Sequence, residues 1–227
     1  DTLIVMRVGD GTPKMMSIPR DLWVPISGTD GSAKINAAYN GGPARLVATV
    51  QSSLEIPIHH YVEVDFVTFG SLVDAVGGVT INFPHPAFDT NSGLSVDQTG
   101  PVELDGEQAL AYVRSRHYTE VIDGVPREDP TADLGRQLRQ QEFMKAVMGK
   151  VGATRNPVGL TKVARALGKD LTIDDDMSAF GALGLARGLA GTSPDTLILP
   201  TAPGREGAQS VLFLQEQAAI PILDQLR

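Results

Sequence analysis

The stretch Tyr61 to Phe83, YVEVDFVTFGSLVDAVGGVTINF, decides the fold class. Tyr61 to Val64 has the composition of a strand, Phe66 to Val76 has helical spacing, and Val79 to Phe83 reads as a second strand. Gly77-Gly78 marks the helix stop between them. Strand, helix and strand in succession predict an α/β chain, a three-layer α-β-α sandwich with a central mixed sheet, formed by residues 1–227 as a single domain. Upstream, Pro43 to Leu54 places Leu46, Val47, Val50 and Leu54 at helical spacing. Before it, Thr2 to Val8 and Lys14 to Ile18 flank the turn signal Gly9-Asp10-Gly11, which predicts an antiparallel hairpin closed by Pro19. A chain that opens directly in a strand is expected to continue upstream, where a membrane anchor could lie.

Downstream, Pro84 to Pro101 is rich in Gly, Pro, Asn and Asp and reads as a loop. Asp105 is placed to cap a short helix through Tyr112, with Gln108 at the capping-box distance. His117 to Pro130 (HYTEVIDGVPREDP) carries charge, Gly and Pro without periodicity and reads as a mobile loop. Asp133 to Val151 is a helix. Further helices are expected at 158–167 and 177–189, a strand at Thr196 to Leu199 and a last helix at Val211 to Leu226.

Composition narrows the chemistry. The 227 residues carry 19 basic and 27 acidic side chains and no cysteine. Disulfides, thiolate zinc sites, iron-sulfur clusters and cysteine nucleophiles are therefore excluded. No apolar run approaches the ~20 residues that cross a bilayer. An acidic balance argues against nucleic acid as a partner, since that binding runs on Lys and Arg neutralising phosphates. Yet arginine (13) outnumbers lysine (6), and five arginines fall between Arg114 and Arg139. Guanidinium groups are suited to bidentate phosphate contacts.

Those arginines form a pattern. At about 100° per residue, Asp133, Arg136, Arg139 and Gln140 share an arc of roughly 120° that Phe143 and Val147 continue, while Leu134 and Leu138 lie opposite. An arc that is charged first and apolar later should face inward, with its charged end lining a pocket. The bland alternative is an Asp133–Arg136 pair on a solvated face. Arg114 and Arg116, two apart in an extended segment, would point to one side. Four converging arginines match a diphosphate better than a carboxylate. Ser17-Ile18-Pro19-Arg20-Asp21 ends a strand, which makes Arg20 a fifth phosphate candidate and lets Asp21 orient it or approach a metal; the alternative is a local ion pair. Lys34, on sequence physics alone, reads as a solvated lysine, and Asp1 leads the neighbouring strand. No G-x-S-x-G elbow, Walker loop, G-x-G-x-x-G fingerprint or H-E-x-x-H pair occurs. His59, His60 and His85 are assigned to structure or solvent.

Taken in order, DTLIVMRV, MMSIPRDLWVPI, KINAAYNGG, LVDAVGGVTINFP, LDGEQALAYVRSRH and DLGRQLRQQEFMKAV strongly resemble the LytR-CpsA-Psr family of bacterial cell-wall enzymes. The resemblance covers about Asp1 to Val151. It implies a phosphotransferase, anchored at the extracytoplasmic face of the plasma membrane, that moves a glycopolymer from a polyprenyl pyrophosphate carrier onto peptidoglycan. It implies pyrophosphate ligands at Arg20, Lys34, Arg114, Arg116, Arg136, Arg139 and Gln140, and catalytic roles for Arg20, Asp21, Arg116, Asp133 and Arg136. A divalent cation, Mg²⁺ or Mn²⁺, is implied at Asp1. The arginine- and alanine-rich composition resembles that of high-GC actinobacterial proteins, so arabinogalactan is expected ahead of teichoic acid as the polymer. A metal-dependent lipid pyrophosphatase and a non-catalytic polyprenyl-phosphate-binding regulatory domain are the alternatives.

Overall fold

The structure, a computed structural model, describes residues 2–9, 11–131, 133–153, 172–173 and 194–227. Asp1 and the helices expected at 158–167 and 177–189 lie outside the described residues. The first elements are β1 (Leu3–Arg7), β2 (Lys14–Ile18), β3 (Trp23–Pro25), β4 (Ser32–Lys34), α1 (Pro43–Leu54), β5 (Val62–Glu63), α2 (Phe66–Ala75) and β6 (Val79–Phe83). Next come β7 (Ala87–Asp89), β8 (Leu94–Val96), β9 (Gly100–Leu104), α3 (Gly106–Arg114), β10 (Thr119–Ile122), β11 (Val125–Glu128) and α4 (Asp133–Ala153). The chain ends with β12 (Thr172–Ile173), β13 (Asp195–Ile198), β14 (Thr201–Glu206), β15 (Gln209–Leu214) and α5 (Glu216–Leu223). The α/β class holds, and the described strands form six sheets of two to four strands.

Two compact units divide the chain: Asp1–Tyr61 with Pro194–Arg227, and Val62–Ser193. In the first, β1 and β2 form the expected antiparallel hairpin, with Leu3 opposite Ile18, and β13 pairs with β2 in parallel, with Leu197 opposite Met16. This sheet is therefore mixed. Met15 to Ile18 are all buried, the continuous run of a central strand rather than the alternation of an edge. Leu46, Val50 and Leu54, one stripe of α1, pack in one core cluster with Met16, Ile18, Leu197 and Leu223. Each such side chain contributes about 1.5–3 kcal/mol by leaving water. The helix expected over Val211 to Leu226 is instead strand β15 followed by α5. The short apolar run from Val211 to Leu214 fits either period, and Gly207, at φ 57°, turns the chain so that β15 pairs back onto β14.

In the second unit, Asp65 caps α2 by accepting the Thr68 N–H at 2.7 Å. Val79, Ile81 and Phe83 of β6 are buried and alternate with exposed Thr80 and Asn82. The strand-helix-strand stretch does not cross over within one sheet: β5 pairs with β12, and β6 with β9. The capping box at Asp105 forms as expected, with the Gln108 N–H donating to Asp105 at 2.9 Å. Gly106 sits so close to α2 that a Cβ there would lie 2.4 Å from the Gly70 carbonyl oxygen. That contact seats α3, which ends on Arg114. Two expected loops are ordered hairpins, β7–β8 and β10–β11, and together they make the sheet β11-β10-β7-β8. In the second of them Asp123 and Gly124 both have positive φ (53° and 77°), the two-residue turn that matches strand twist.

Candidate functional site: two cationic clusters

One cluster belongs to the first unit. β2 ends at Ile18, and the turn after it is tied down through the backbone. The Leu22 N–H donates to the Pro19 carbonyl (3.1 Å), Asn36 to that of Arg20 (3.3 Å) and Leu212 to that of Asp21 (2.9 Å). The Asp21 carboxylate meets Lys34 Nζ at 2.8 Å and Arg20 Nε at 3.6 Å. Burial alone would raise its pKa; the Lys34 ammonium, then the Arg20 guanidinium, hold it below the ordinary carboxylate value. A carboxylate held this way is a weak base and a good orienter of cations. Arg20 Nε is buried without a hydrogen-bond acceptor, and both Arg20 and Lys34 remain partly exposed. Arg20, Asp21 and Lys34 are thus brought together, with Lys34 ion-paired rather than solvated.

The other cluster belongs to the second unit and is built on α3, the segment after it, and α4. Arg136, Arg139, Gln140, Phe143 and Val147 are buried, whereas Leu134 and Leu138 are exposed. The charged-then-apolar arc of α4 therefore faces inward, as its periodicity predicts. Asp133 opens the helix. Arg139 Nη1 donates to Asp129 and Nη2 to the Ser115 carbonyl, both at 2.9 Å, and its guanidinium lies 4.5 Å from the centroid of the Tyr118 ring. Gln140 Nε2 donates to the Val113 carbonyl at 2.9 Å. Both residues were expected to ligate a phosphate, yet these donors go to the protein itself. The reason is burial: a guanidinium removed from water needs acceptors at once, and the end of α3 supplies open carbonyls. Tyr112, whose hydroxyl donates to Glu142 at 2.8 Å, is pushed well above its ordinary pKa by burial and then by that carboxylate.

Arg114 and Arg116 do not share an extended segment. Arg114 is the exposed last residue of α3, Ser115 caps the helix with ψ 126°, and half-buried Arg116 follows the turn. Sequence reasoning missed the residue beneath them. Asp89, at the end of β7 and 1% exposed, accepts the Ser115 hydroxyl at 2.7 Å and the N–H groups of Arg116 and His117 at 3.0 Å each. Burial would raise its pKa, but the Ser115 hydroxyl and the N–H groups of His117, Asn91 and Ser92 bring it down to about 2. The available signal was the Asp-Thr-Asn-Ser-Gly run, an Asx turn in which Asp89 also accepts from Asn91 N–H at 2.8 Å.

A model of the LytR_cpsA_psr family matches residues 1–226. The chain belongs to the LytR-CpsA-Psr family. Among curated relatives it is 36% identical over 192 residues to a polyisoprenyl-teichoic acid–peptidoglycan teichoic acid transferase, TagU, from Oceanobacillus iheyensis, covering 81% of this chain and 56% of TagU. The chain thus spans about half the length of that relative. Among solved structures it resembles a LytR-Csp2A-Psr enzyme from Actinomyces oris, with TM-score 0.81, 26% identity, and 99% of this chain covering 84% of that one. It also resembles TagT bound to LI-WTA, with TM-score 0.77, 26% identity, and complete coverage of this chain against 83% of that one. Among the described residues no helix is long and apolar enough to cross a membrane.

Among the described residues the divalent cation implied by the LytR-CpsA-Psr resemblance finds no donor set. Among the described residues no group of three acidic or histidine side chains could hold a metal ion, and the Asp21 carboxylate is spent on Lys34 and Arg20. Asp1, the expected ligand, lies outside the described residues.

Proposed function

We propose that this chain is the catalytic domain of an extracytoplasmic phosphotransferase that moves a wall glycopolymer from a polyprenyl diphosphate carrier to peptidoglycan. The observation that carries this reading is the firmly held turn that presents Arg114 and Arg116, in a chain whose named relatives transfer teichoic acid to peptidoglycan. Because the family model runs through both compact units, we take them as one catalytic domain. A membrane anchor upstream of Asp1 belongs to the same reading.

In this mechanism Arg116, Arg114 and Arg136 bind the diphosphate oxygens, and the resemblance to the LytR-CpsA-Psr family assigns the same ligand to Arg20 and Lys34. Asp21 orients the last two, and Arg139 and Gln140 hold the Arg116 turn. A hydroxyl oxygen of the acceptor sugar attacks the sugar-proximal phosphorus and forms a new P–O bond. The bond from that phosphorus to the bridging oxygen breaks, and polyprenyl monophosphate leaves with the bonding pair. Asp133 is our candidate to take the hydroxyl proton, since the depressed pKa of Asp21 unsuits it to that role. Reactions of this kind depend mainly on positioning and charge stabilisation. Mg²⁺ or Mn²⁺ at Asp1 would supply charge neutralisation when bound. The apolar faces of α2 and α4, where Phe69 and Phe143 stack at 4.8 Å between centroids, are our candidates to shelter the isoprenoid. On composition we take arabinogalactan as the polymer; competition between arabinogalactan and teichoic acid donors decides this.

The test is transfer of a radiolabelled lipid-diphosphate oligosaccharide to peptidoglycan, with and without Mg²⁺. Arg116→Ala and Arg136→Ala, folded, should each lose about 10²–10³-fold in rate. Undiminished transfer in both sinks the assignment. Release of free glycan phosphate without coupling favours a pyrophosphatase, and lipid binding without turnover favours a regulatory domain.

A further inference from the structure

We propose that Asp89 is a positioning residue of the diphosphate site: it fixes the backbone of Ser115, Arg116 and His117 and so sets where the Arg116 guanidinium is presented. The proposal rests on the reading of Arg116 as a diphosphate ligand.

Asp89 is electrostatically misplaced by ordinary rules. It lies against the C-terminal end of α3, where helix dipoles and open carbonyls disfavour an anion. Its burial adds the cost of removing a carboxylate from water. The chain meets both costs by leaving the helix at Ser115 and turning the next two N–H groups back onto the same carboxylate oxygen, which also accepts the Ser115 hydroxyl. The second carboxylate oxygen accepts the N–H groups of Asn91 (2.8 Å) and Ser92 (3.3 Å), which lock Asp89 into the β7–β8 turn. On the carbonyl side, Arg139 holds Ser115 and Gln140 holds Val113. The N–H groups and the carbonyls of this turn are therefore both claimed by buried side chains from β7 and α4. Arg116 extends from a backbone that is already in place, so a ligand need not bear the entropy of ordering a loop.

A second consequence concerns charge. A carboxylate bonded to the Ser115 hydroxyl and the amides of Arg116 and His117 gives the turn a reason to exist that an apolar residue or an alcohol at position 89 could not supply. Only an acceptor with two oxygens and full charge serves five donors at once.

The experiment is equilibrium binding of a fluorescent polyprenyl diphosphate to the wild type, Asp89→Asn, Arg116→Ala, Arg20→Ala and the double variants, with folding checked by thermal melts. Asp89→Asn should weaken binding about tenfold in the wild type and less than about twofold once Arg116 is Ala, because the two act through one contact. Combined with Arg20→Ala, the two losses should multiply in full. If Asp89→Asn does not fold, Ser115→Ala removes a single donor and should weaken binding about threefold, with the same dependence on Arg116. Unchanged affinity in the folded variant, or losses that multiply in the Arg116→Ala background, overturns the positioning role while leaving the diphosphate reading intact. A wild type that does not bind polyprenyl diphosphate overturns both.

Discussion

Lys34 meets Asp21 at 2.8 Å with both side chains about 30% exposed, whereas Arg139 meets Asp129 at 2.9 Å with its own side chain 9% exposed. The distances are nearly equal and the consequences are not. In the half-exposed pair each charge stays partly hydrated, so Lys34 can pass to an anionic ligand at little cost. In the buried one, Arg139 serves Asp129, the Ser115 carbonyl and the Tyr118 ring together, and nothing can be withdrawn without stranding the rest. An arginine in a motif rich in arginine is therefore not by that fact open to a ligand: the donors of Arg139 go to the protein itself.

Three measurements would break or sharpen this contrast. The largest effect is expected at Arg139→Ala, which leaves Asp129 and the Ser115 carbonyl without their donor and should cost about 3 kcal/mol in urea unfolding. Arg139→Lys should recover little of it, because an ammonium cannot reproduce the fork that serves both acceptors. Next comes acid. The carboxyl of Asp89 titrates at about 2 when folded against 3.8 for a free aspartate. A folded pKa below the unfolded one gives stability that is present above about pH 4 and is lost as pH falls through about 2. Its size is about 2 kcal/mol, so the stability difference between wild type and Asp89→Asn should shrink across that window. Asp21 and Asp129, also depressed, slope the same way and are common to both proteins. The smallest stability effect belongs to Lys34→Ala, under about 1 kcal/mol, while polyprenyl diphosphate binding weakens. A stability loss as large as that of Arg139→Ala would erase the distinction.

What could be read in advance followed the strength of local signals. Asp105 and Gln108 announce α3 because the capping box is a contact between near neighbours. The inward arc of α4 is legible because Phe143 and Val147 continue the arc of Arg136, Arg139 and Gln140. The two hairpins were misread for opposite reasons. Asp123-Gly124 is a strong turn signal, hidden by the charge around it, whereas Ala87 to Asp89 and Leu94 to Val96 are too short to show a period. The Asx turn at Asp89 is signalled by the Asp-Thr-Asn-Ser-Gly run, but its partners Ser115, Arg116 and His117 lie 26 to 28 residues away and carry no local signal. Nor could it be read that Arg139 donates to the Ser115 carbonyl, since that partner lies 24 residues away.

The parallel pairing of β2 with β13 has a consequence for how the chain matures. Lys14 and Asp195 are joined by an ion pair between residues 181 apart, and every partner in that ladder is about as distant. The unit from Val62 to Ser193 is continuous and can fold as it emerges, but the one that holds Arg20 and Lys34 waits for Pro194–Arg227. During synthesis, β1 and β2 persist as an incomplete sheet with an open edge at β2, the kind of edge that invites pairing with other chains. The Arg20–Lys34 cluster of the first unit is thus the last to be built, and a chain that stalls before residue 195 has the Arg116 turn but not the Arg20 one.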